Sequence, residues 1–209
     1  MRVIFSALTF AIIACYPSLL YAQQPRLQQP SPLGPAKAVE QEAKRPDFAH
    51  QSRADQLFER LASSKDEAEA SSLSEQINRI WSRSGSDTLD LLMSRAGEAV
   101  AAKDTVLGLD VLDSVLALKS DWAEVYNRRA AIHFQRQDFD AAMRDLRQTL
   151  TLEPRHFQAL AGIGMIFQQG GNGKQALAAF QAALKLNPHL KGVKQAAEKL
   201  SLQYNGQGI

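Results

Sequence analysis

The histidines are the residues of this chain most capable of chemistry, because imidazole can act as a general base or ligate a metal ion. There are four of them, His50, His133, His156 and His189. Their spacing distributes them over separate elements: one beside a proline-rich stretch, one at an apolar helical position and two in turns. That spacing does not bring them together as a triad or a metal site. We therefore predict no catalytic and no metal-ligating residues, and a protein that is not an enzyme.

Two further motifs could suggest ligand sites. Residues 170–174 read Gly-Gly-Asn-Gly-Lys, but no strand precedes them and the Walker spacing is missing, so a turn between two helices explains them better. Residues 66–69 read Asp-Glu-Ala-Glu, and acidic side chains at a helix start stabilise the helix dipole without calcium. We accordingly predict that the protein binds no cofactor.

The elements that carry these residues follow a 34-residue period in the second half of the chain. Pro154 and Pro188 lie one period apart, and each ends a segment with the same layout. The residues at matched offsets are Tyr126, Ala130, His133, Ala142, Leu146 and Thr149 in the first segment, and Leu160, Gly164, Phe167, Ala176, Phe180 and Ala183 in the second. Self-similarity at this length indicates a solenoid of helix pairs.

Small residues give this period a physical basis. We expect Ala130 to face Ala142, and Gly164 to face Ala176, where the two helices of a pair cross, because only short side chains let the backbones approach closely. No segment alternates with period two, so we expect no sheet. The apolar spacing predicts helices at 87–102, 105–119, 122–136, 139–152, 156–169, 174–186 and 189–204, preceded by a helical hairpin.

This pattern of residues resembles the tetratricopeptide repeat (TPR). The resemblance is strong for 123–156 and 157–190 and degenerate for 89–122. It implies an all-α, right-handed solenoid of helical hairpins with about three repeats. Residues 47–88 would form an N-terminal capping hairpin, and 189–209 a C-terminal capping helix and tail. The runs 82–96, 127–129 (Asn-Arg-Arg) and 153–156 (Glu-Pro-Arg-His) also look like those of exported tetratricopeptide proteins of Gram-negative, α-proteobacterial type.

The N-terminus indicates export. Residues 1–22 combine Arg2, an apolar stretch and a small residue, Ala22, before a polar run, which is typical of a secretory signal peptide cleaved after Ala22. A second interpretation is a lipobox in which Cys15 is lipidated. Residues 23–46 are rich in proline and glutamine, which predicts a flexible linker. The cleaved signal peptide would leave the protein free in the periplasm, and the lipobox would anchor it by lipid to a membrane that faces the periplasm.

Composition narrows the class of partner. The formal net charge is +2, and no cluster of lysine and arginine forms the basic stripe that nucleic-acid binding requires. Cys15 is the single cysteine, so the fold must be stable without disulfides. We expect a protein or peptide partner in the cell envelope, no nucleic acid, and membrane association only if the chain is lipidated.

The resemblance implies a binding groove lined by the first helix of each repeat. Carried over by register, the candidate partner-binding residues are Met93, Asn127, Arg128, Phe134, Gln158, Met165 and Gln168. The implied function is that of a noncatalytic periplasmic scaffold or adaptor. The alternatives are a self-associating envelope component that oligomerises through the 53–84 hairpin, or an outer-membrane lipoprotein assembly factor lipidated at Cys15. The oligomeric state would be a monomer or a weak homo-oligomer.

Overall fold

The computed structural model describes residues 48–205, with side chains from Arg53 to Tyr204. Within that range the chain forms helices and no strand, as predicted. The predicted signal peptide, Ala22, Cys15 and the 23–46 linker lie outside the described residues. The helices are α1 Phe48–Ser63, α2 Glu67–Trp81, α3 Asp87–Ala101, α4 Thr105–Leu118, α5 Ala123–Gln135, α6 Phe139–Leu152, α7 Phe157–Gln169, α8 Gly173–Leu186 and α9 Lys191–Asn205.

The helices from α3 onward pack in sequence as three antiparallel pairs. Helix α3 pairs with α4, α5 with α6 and α7 with α8, and each pair contacts the next. Helix α9 packs on α8, where Ala197 and Leu200 share a core with Ala176 and Phe180. The all-α fold of repeated helical hairpins is therefore confirmed. No helix in the described part of the chain has the length and apolar character needed to cross a membrane.

The turn inside each pair is built the same way. Lys103, Gln137 and Gly171 occur at intervals of one period, and each has a positive φ, between 62° and 73°. Asp104 and Asp138 follow two of these turn residues and accept hydrogen bonds from the amides at the start of the next helix. The glycine-rich run at 170–174 is thus the third copy of this turn, in which Gly171 adopts the left-handed conformation without a Cβ penalty.

The two helices of a pair approach closely at the predicted small residues. Ala130 and Ala142 are 1% and 0% exposed. At Gly164 an added Cβ would lie 2.4 Å from the ring of Phe180 on the partner helix. The large side chain of one helix therefore occupies the space that the small residue of the other leaves open.

The N-terminal hairpin α1–α2 does not lie where the sequence analysis expected it. It was predicted to cap the first repeat, but its apolar residues instead share a core with Phe157, and Leu186 and Leu190 pack against that core. Phe157, Leu186 and Leu190 lie in or beside the turns between repeats. We call these turns together the turn edge, and they comprise residues 119–122, 153–156 and 187–190. Large side chains along this edge give the hairpin an apolar surface that periodicity alone does not reveal.

We predict that Gly164→Ala lowers the free energy of unfolding by up to about 2 kcal/mol. Overpacking against Phe180 costs about 1–3 kcal/mol, and the better helix propensity of alanine returns about 1 kcal/mol. Gly97→Ala is the matched control, because its Cβ would meet only Arg128 Nη1, at 4.0 Å. It should be neutral or stabilising. Urea unfolding followed by circular dichroism measures both, and equal stability of the two variants would contradict the close-approach argument.

Candidate functional site

Glu124, in the first turn of α5, is the centre of a polar network. Its carboxylate is largely buried, with 8% of the residue exposed. Oε1 accepts a hydrogen bond from Arg128 Nε at 2.8 Å. Oε2 accepts one from Asn127 Nδ2 at 3.1 Å and lies 3.2 Å from His156 Nε2. Asn127 and Arg128 follow Glu124 by three and four residues, the spacing that puts side chains on one face of a helix.

This network determines the charge state of Glu124. Burial alone would raise the pKa of its carboxyl, but the hydrogen bonds from His156 and Arg128 outweigh burial and hold the pKa below its usual value. The buried carboxylate is therefore ionised and paired. Three side chains of the fold, Asn127, Arg128 and His156, hold this buried anion.

His156 joins the network to the N-terminal hairpin. The residue is fully buried and is the N-cap of α7, where Nδ1 accepts a hydrogen bond from the Ala159 amide. Nε2 is then the ring nitrogen that donates to Glu124. The imidazole stacks on the Trp81 ring with centroids 4.0 Å apart and planes 11° from parallel. Trp122 Nε1 donates to the Trp81 carbonyl at 2.6 Å, so Trp81 is bound to two successive turns.

Further contacts attach the hairpin along the turn edge. Asn187 Nδ2 donates to Ser74 Oγ at 2.9 Å, and His189 Nε2 lies 2.9 Å from the Ser64 carbonyl oxygen. Arg155 forms an ion pair with Asp55, and its guanidinium lies 4.4 Å above the Phe58 ring. Burial alone would lower the pKa of Arg155, but its hydrogen bond to Asp55 and the nearby Glu153 raise it.

An apolar pocket of about 160 Å³ lies between α3 and α5. It is lined by Ala96, Gly97, Val100, Leu112, Arg128, Ala131, Ile132 and Gln135. We call it the groove pocket. Small-molecule sites usually measure about 300–1,000 Å³, so this one suits a single side chain better than a cofactor. Among the described residues, no three His, Cys, Asp or Glu side chains converge as metal ligands.

Comparisons with known proteins agree with this architecture. A sequence model of the tetratricopeptide repeat matches residues 123–156 and 157–190. The TPR repeat-containing protein RHE_CH03534.1 of Rhizobium etli is 37% identical over 175 residues, covering 80% of this chain and 86% of the relative. The chain belongs to the tetratricopeptide repeat family. Proteins of this family are generally noncatalytic and act as protein-interaction scaffolds.

Solved structures share the TPR fold at low sequence identity. One is the Yersinia enterocolitica type III secretion chaperone SycD, solved in complex with a peptide of the translocator YopD. Its TM-score is 0.53 and its identity 17%, covering 57% of this chain and 96% of that one. The Arabidopsis OM64 TPR domain has a TM-score of 0.52 and 22% identity, covering 55% and 94%. At these identities the likeness concerns the fold alone.

The predicted groove residues fall into three groups by burial: buried, half-buried and exposed. Met93 is 2% exposed and packs in the core of the first repeat with Leu112 and Val115, so a partner does not reach it, contrary to expectation. Asn127 and Arg128 are half-buried and bound to Glu124. The half-buried Phe134 packs edge-on against Phe139, with centroids 5.4 Å apart. The residues that remain exposed are Gln158, Met165 and Gln168.

Sequence reasoning missed two parts of this site. It placed His156 in a turn but did not foresee its stack on Trp81, because the hairpin's position was not encoded in the repeat period. It also missed Ile132 and Gln135, which line the groove pocket. The spacing of Glu124 to Asn127 and Arg128 was a readable signal of the network, since carboxylate, amide and guanidinium groups three and four residues apart interact.

We predict that Glu124→Gln destabilises the protein by about 1–3 kcal/mol at pH 7, because it removes charged hydrogen bonds in a buried site. The folded pKa of Glu124 lies below its unfolded value, so its contribution is present above the unfolded pKa and declines as pH falls through the folded pKa. The stability difference between wild type and variant should therefore shrink on acidification.

Urea unfolding at a series of pH values from neutral to acid tests this. Glu75→Gln is the control, because Glu75 is exposed and forms an exposed pair with Arg79, at 3.7 Å. Its effect should stay within about 1 kcal/mol. A Glu124→Gln penalty that does not change with pH would show that the ionised carboxylate is not what stabilises the network.

Proposed function

We propose that this protein is an exported, noncatalytic TPR scaffold that binds a protein partner in the groove formed by α3, α5 and α7. The groove pocket is the observation that carries the proposal. It is a concave site with mostly apolar lining, open between the first helices of two successive repeats. An apolar side chain of a bound peptide would gain about 1.5–3 kcal/mol on burial there.

The polar groups around the pocket favour a peptide over a purely apolar ligand. Arg128 lines the pocket while its Nε is bound to Glu124 and its Nη2 to Ser82 Oγ, at 3.2 Å. The guanidinium is thus fixed in place before a partner binds. Gln135, also on the lining, supplies an amide that can pair with a peptide backbone. Preorganised donors lower the entropy cost of binding.

The groove continues onto α7. Met165 is 43% exposed and Gln168 is exposed one turn later on the same helix. Methionine is an adaptable apolar contact at binding surfaces. That the related fold of SycD was solved with a bound peptide supports a peptide as the class of ligand. An extended segment crossing from the groove pocket to Met165 fits this arrangement.

The alternative of self-association through the 53–84 hairpin is weakened by the hairpin's own packing. Leu61, Leu73 and Ile77 are almost fully buried within the chain, in the core that includes Phe157. An apolar surface already covered by the same molecule is not available to a second one. The scaffold proposal therefore takes precedence over that alternative.

We predict that Ala131→Phe weakens partner binding at least about tenfold without unfolding the protein. Ala131 is exposed and lines the groove pocket, so a phenyl ring there fills the space that the partner needs. Arg128→Ala is a poor test, because it also removes a bond to the buried Glu124. Ala117→Phe is the matched control, since Ala117 is exposed on α4 and is not among the pocket-lining residues.

The measurement is chemical crosslinking in intact cells, followed by purification of the full exported chain. The partner should be recovered with wild type and Ala117→Phe and should be reduced at least about tenfold with Ala131→Phe, the loss expected for about 1.4 kcal/mol. Equal recovery with both variants would show that the partner binds another surface. Circular dichroism of each variant confirms folding.

We also propose export to the periplasm, with removal of residues 1–22. The purified mature chain should have the intact mass of a protein beginning at Gln23, and Cys15→Ser should leave that mass and the location unchanged. Mass spectrometry of the periplasmic fraction tests both. A mature chain that begins at Cys15 and carries acyl groups, recovered with membranes, would establish the lipoprotein alternative instead.

A further inference from the structure

The first repeat has an exposed face, and two of its positions, those of Leu91 and Glu98, are buried in the other two repeats. We call it the outer face, defined by Leu91, Arg95 and Glu98 on α3 and Leu107 on α4. Leu91 is 54% exposed and Leu107 50%, and both charged residues are exposed. Large apolar side chains exposed together on one face indicate an interaction surface more often than isolated ones do.

The repeat register shows what such a face normally contacts. One period later, Val125 and Ile132 replace Leu91 and Glu98 and are 0% and 1% exposed. They share the core of the first repeat, and a Cβ on Gly108 would lie 3.1 Å from Ile132 Cδ1. In the third repeat, Ala159 and Ile166 are likewise buried against α6 residues, at 0% and 8% exposure. This face is therefore the one through which a repeat contacts its neighbour.

The N-terminal hairpin, which could have covered the outer face, lies on the turn edge instead. The face also differs from its buried equivalents in charge. Leu91, Arg95 and Glu98 form one stripe with i, i+4 and i+7 spacing. Arg95 and Glu98 are both exposed, and Glu98 Oε1 accepts a hydrogen bond from Ser94 Oγ at 3.4 Å. The stripe thus carries one exposed positive and one exposed negative side chain.

This charge pattern is self-complementary. If two copies of α3 pack antiparallel about a two-fold axis between Arg95 and Glu98, each arginine faces the glutamate of the other copy. Leu91 then faces Ala102. Gly108 on α4 lies beside Ala96 and Val100 on α3, since a Cβ added to it would be 3.2 Å from Val100 Cγ2 and 3.8 Å from the Ala96 carbonyl oxygen. Leu107, the residue before Gly108, is therefore at about the height of the two-fold axis along α3. The two Leu107 side chains would therefore meet close to the axis.

We propose that the outer face binds the outer face of a second copy of this chain, forming a two-fold symmetric dimer. Symmetric dimers are the commonest homo-oligomers, and their interfaces must be self-complementary in this way. Head-to-tail association is less suited to the surface, because the exposed side of α9 carries Lys194, Glu198 and Lys199 with one large apolar residue, Leu202. The dimer does not depend on the groove binding a partner.

The size of the face limits the affinity. Helices α3 and α4 have 15 and 14 residues, so they are roughly 22 Å long and together about 20 Å wide. That footprint is smaller than the ~800 Å² per partner of a standard stable interface. We therefore expect a reversible dimer whose dissociation is visible over a concentration series.

Sedimentation equilibrium of the full mature chain, from dilute samples to the solubility limit, tests the proposal with charge exchange. Arg95→Glu alone and Glu98→Arg alone each place like charges opposite one another and should raise the dimer Kd at least about tenfold. The double variant Arg95→Glu, Glu98→Arg should restore the wild-type Kd. An equimolar mixture of the two single variants should dimerise as wild type does, because opposite charges face each other again.

The control is Lys194→Glu on α9, which should leave the Kd unchanged. Circular dichroism of each variant checks that these exposed substitutions preserve the fold. A wild-type mass that stays monomeric across the series would overturn the proposal. So would single variants that dimerise normally, a mixture that remains monomeric, or loss of assembly in Lys194→Glu, which would indicate head-to-tail contact.

Discussion

The close approach of two helices at a small residue is the constraint on which this structure depends. Ala130 and Ala142 share one core cluster, and Gly164 lies against the Phe180 ring, so small residues let the backbones of a pair come together. A pair of short helices cannot bury its own apolar surface, so it becomes stable only when the next pair covers it. Stacking in turn sets the first helices of successive repeats side by side, and the groove pocket exists because α3 and α5 are neighbours in this array.

The repeats were predictable from the sequence because their determinants are local and recur. Apolar residues spaced for helices act within one period, and so does the proline after the second helix of the last two repeats. The boundaries of the seven helices from α3 onward accordingly lie within two residues of the prediction. The hairpin's position was not predictable, because it depends on contacts that occur once: Trp81 on His156, Trp122 on the Trp81 carbonyl, and Asn187 on Ser74.

The site was predictable in part for the same reason. Register correctly left Gln158, Met165 and Gln168 exposed on α7. It failed at Met93, which turns into the core with Leu112, and it did not show that Asn127 and Arg128 are already engaged by Glu124. Register specifies which helix face a residue occupies. It does not specify whether neighbouring side chains of the same protein already bind that residue.

The hairpin on the turn edge changes the mechanical character of the solenoid. In a simple array of repeats each unit contacts only its neighbours, so the array can bend along its length and its ends can unfold separately. Here one hairpin contacts the turns on both sides of two repeats and joins residues as far apart in sequence as Ser64 and His189. Because it joins the turns along one edge, we expect it to resist bending of the groove and to couple the unfolding of the repeats that it spans.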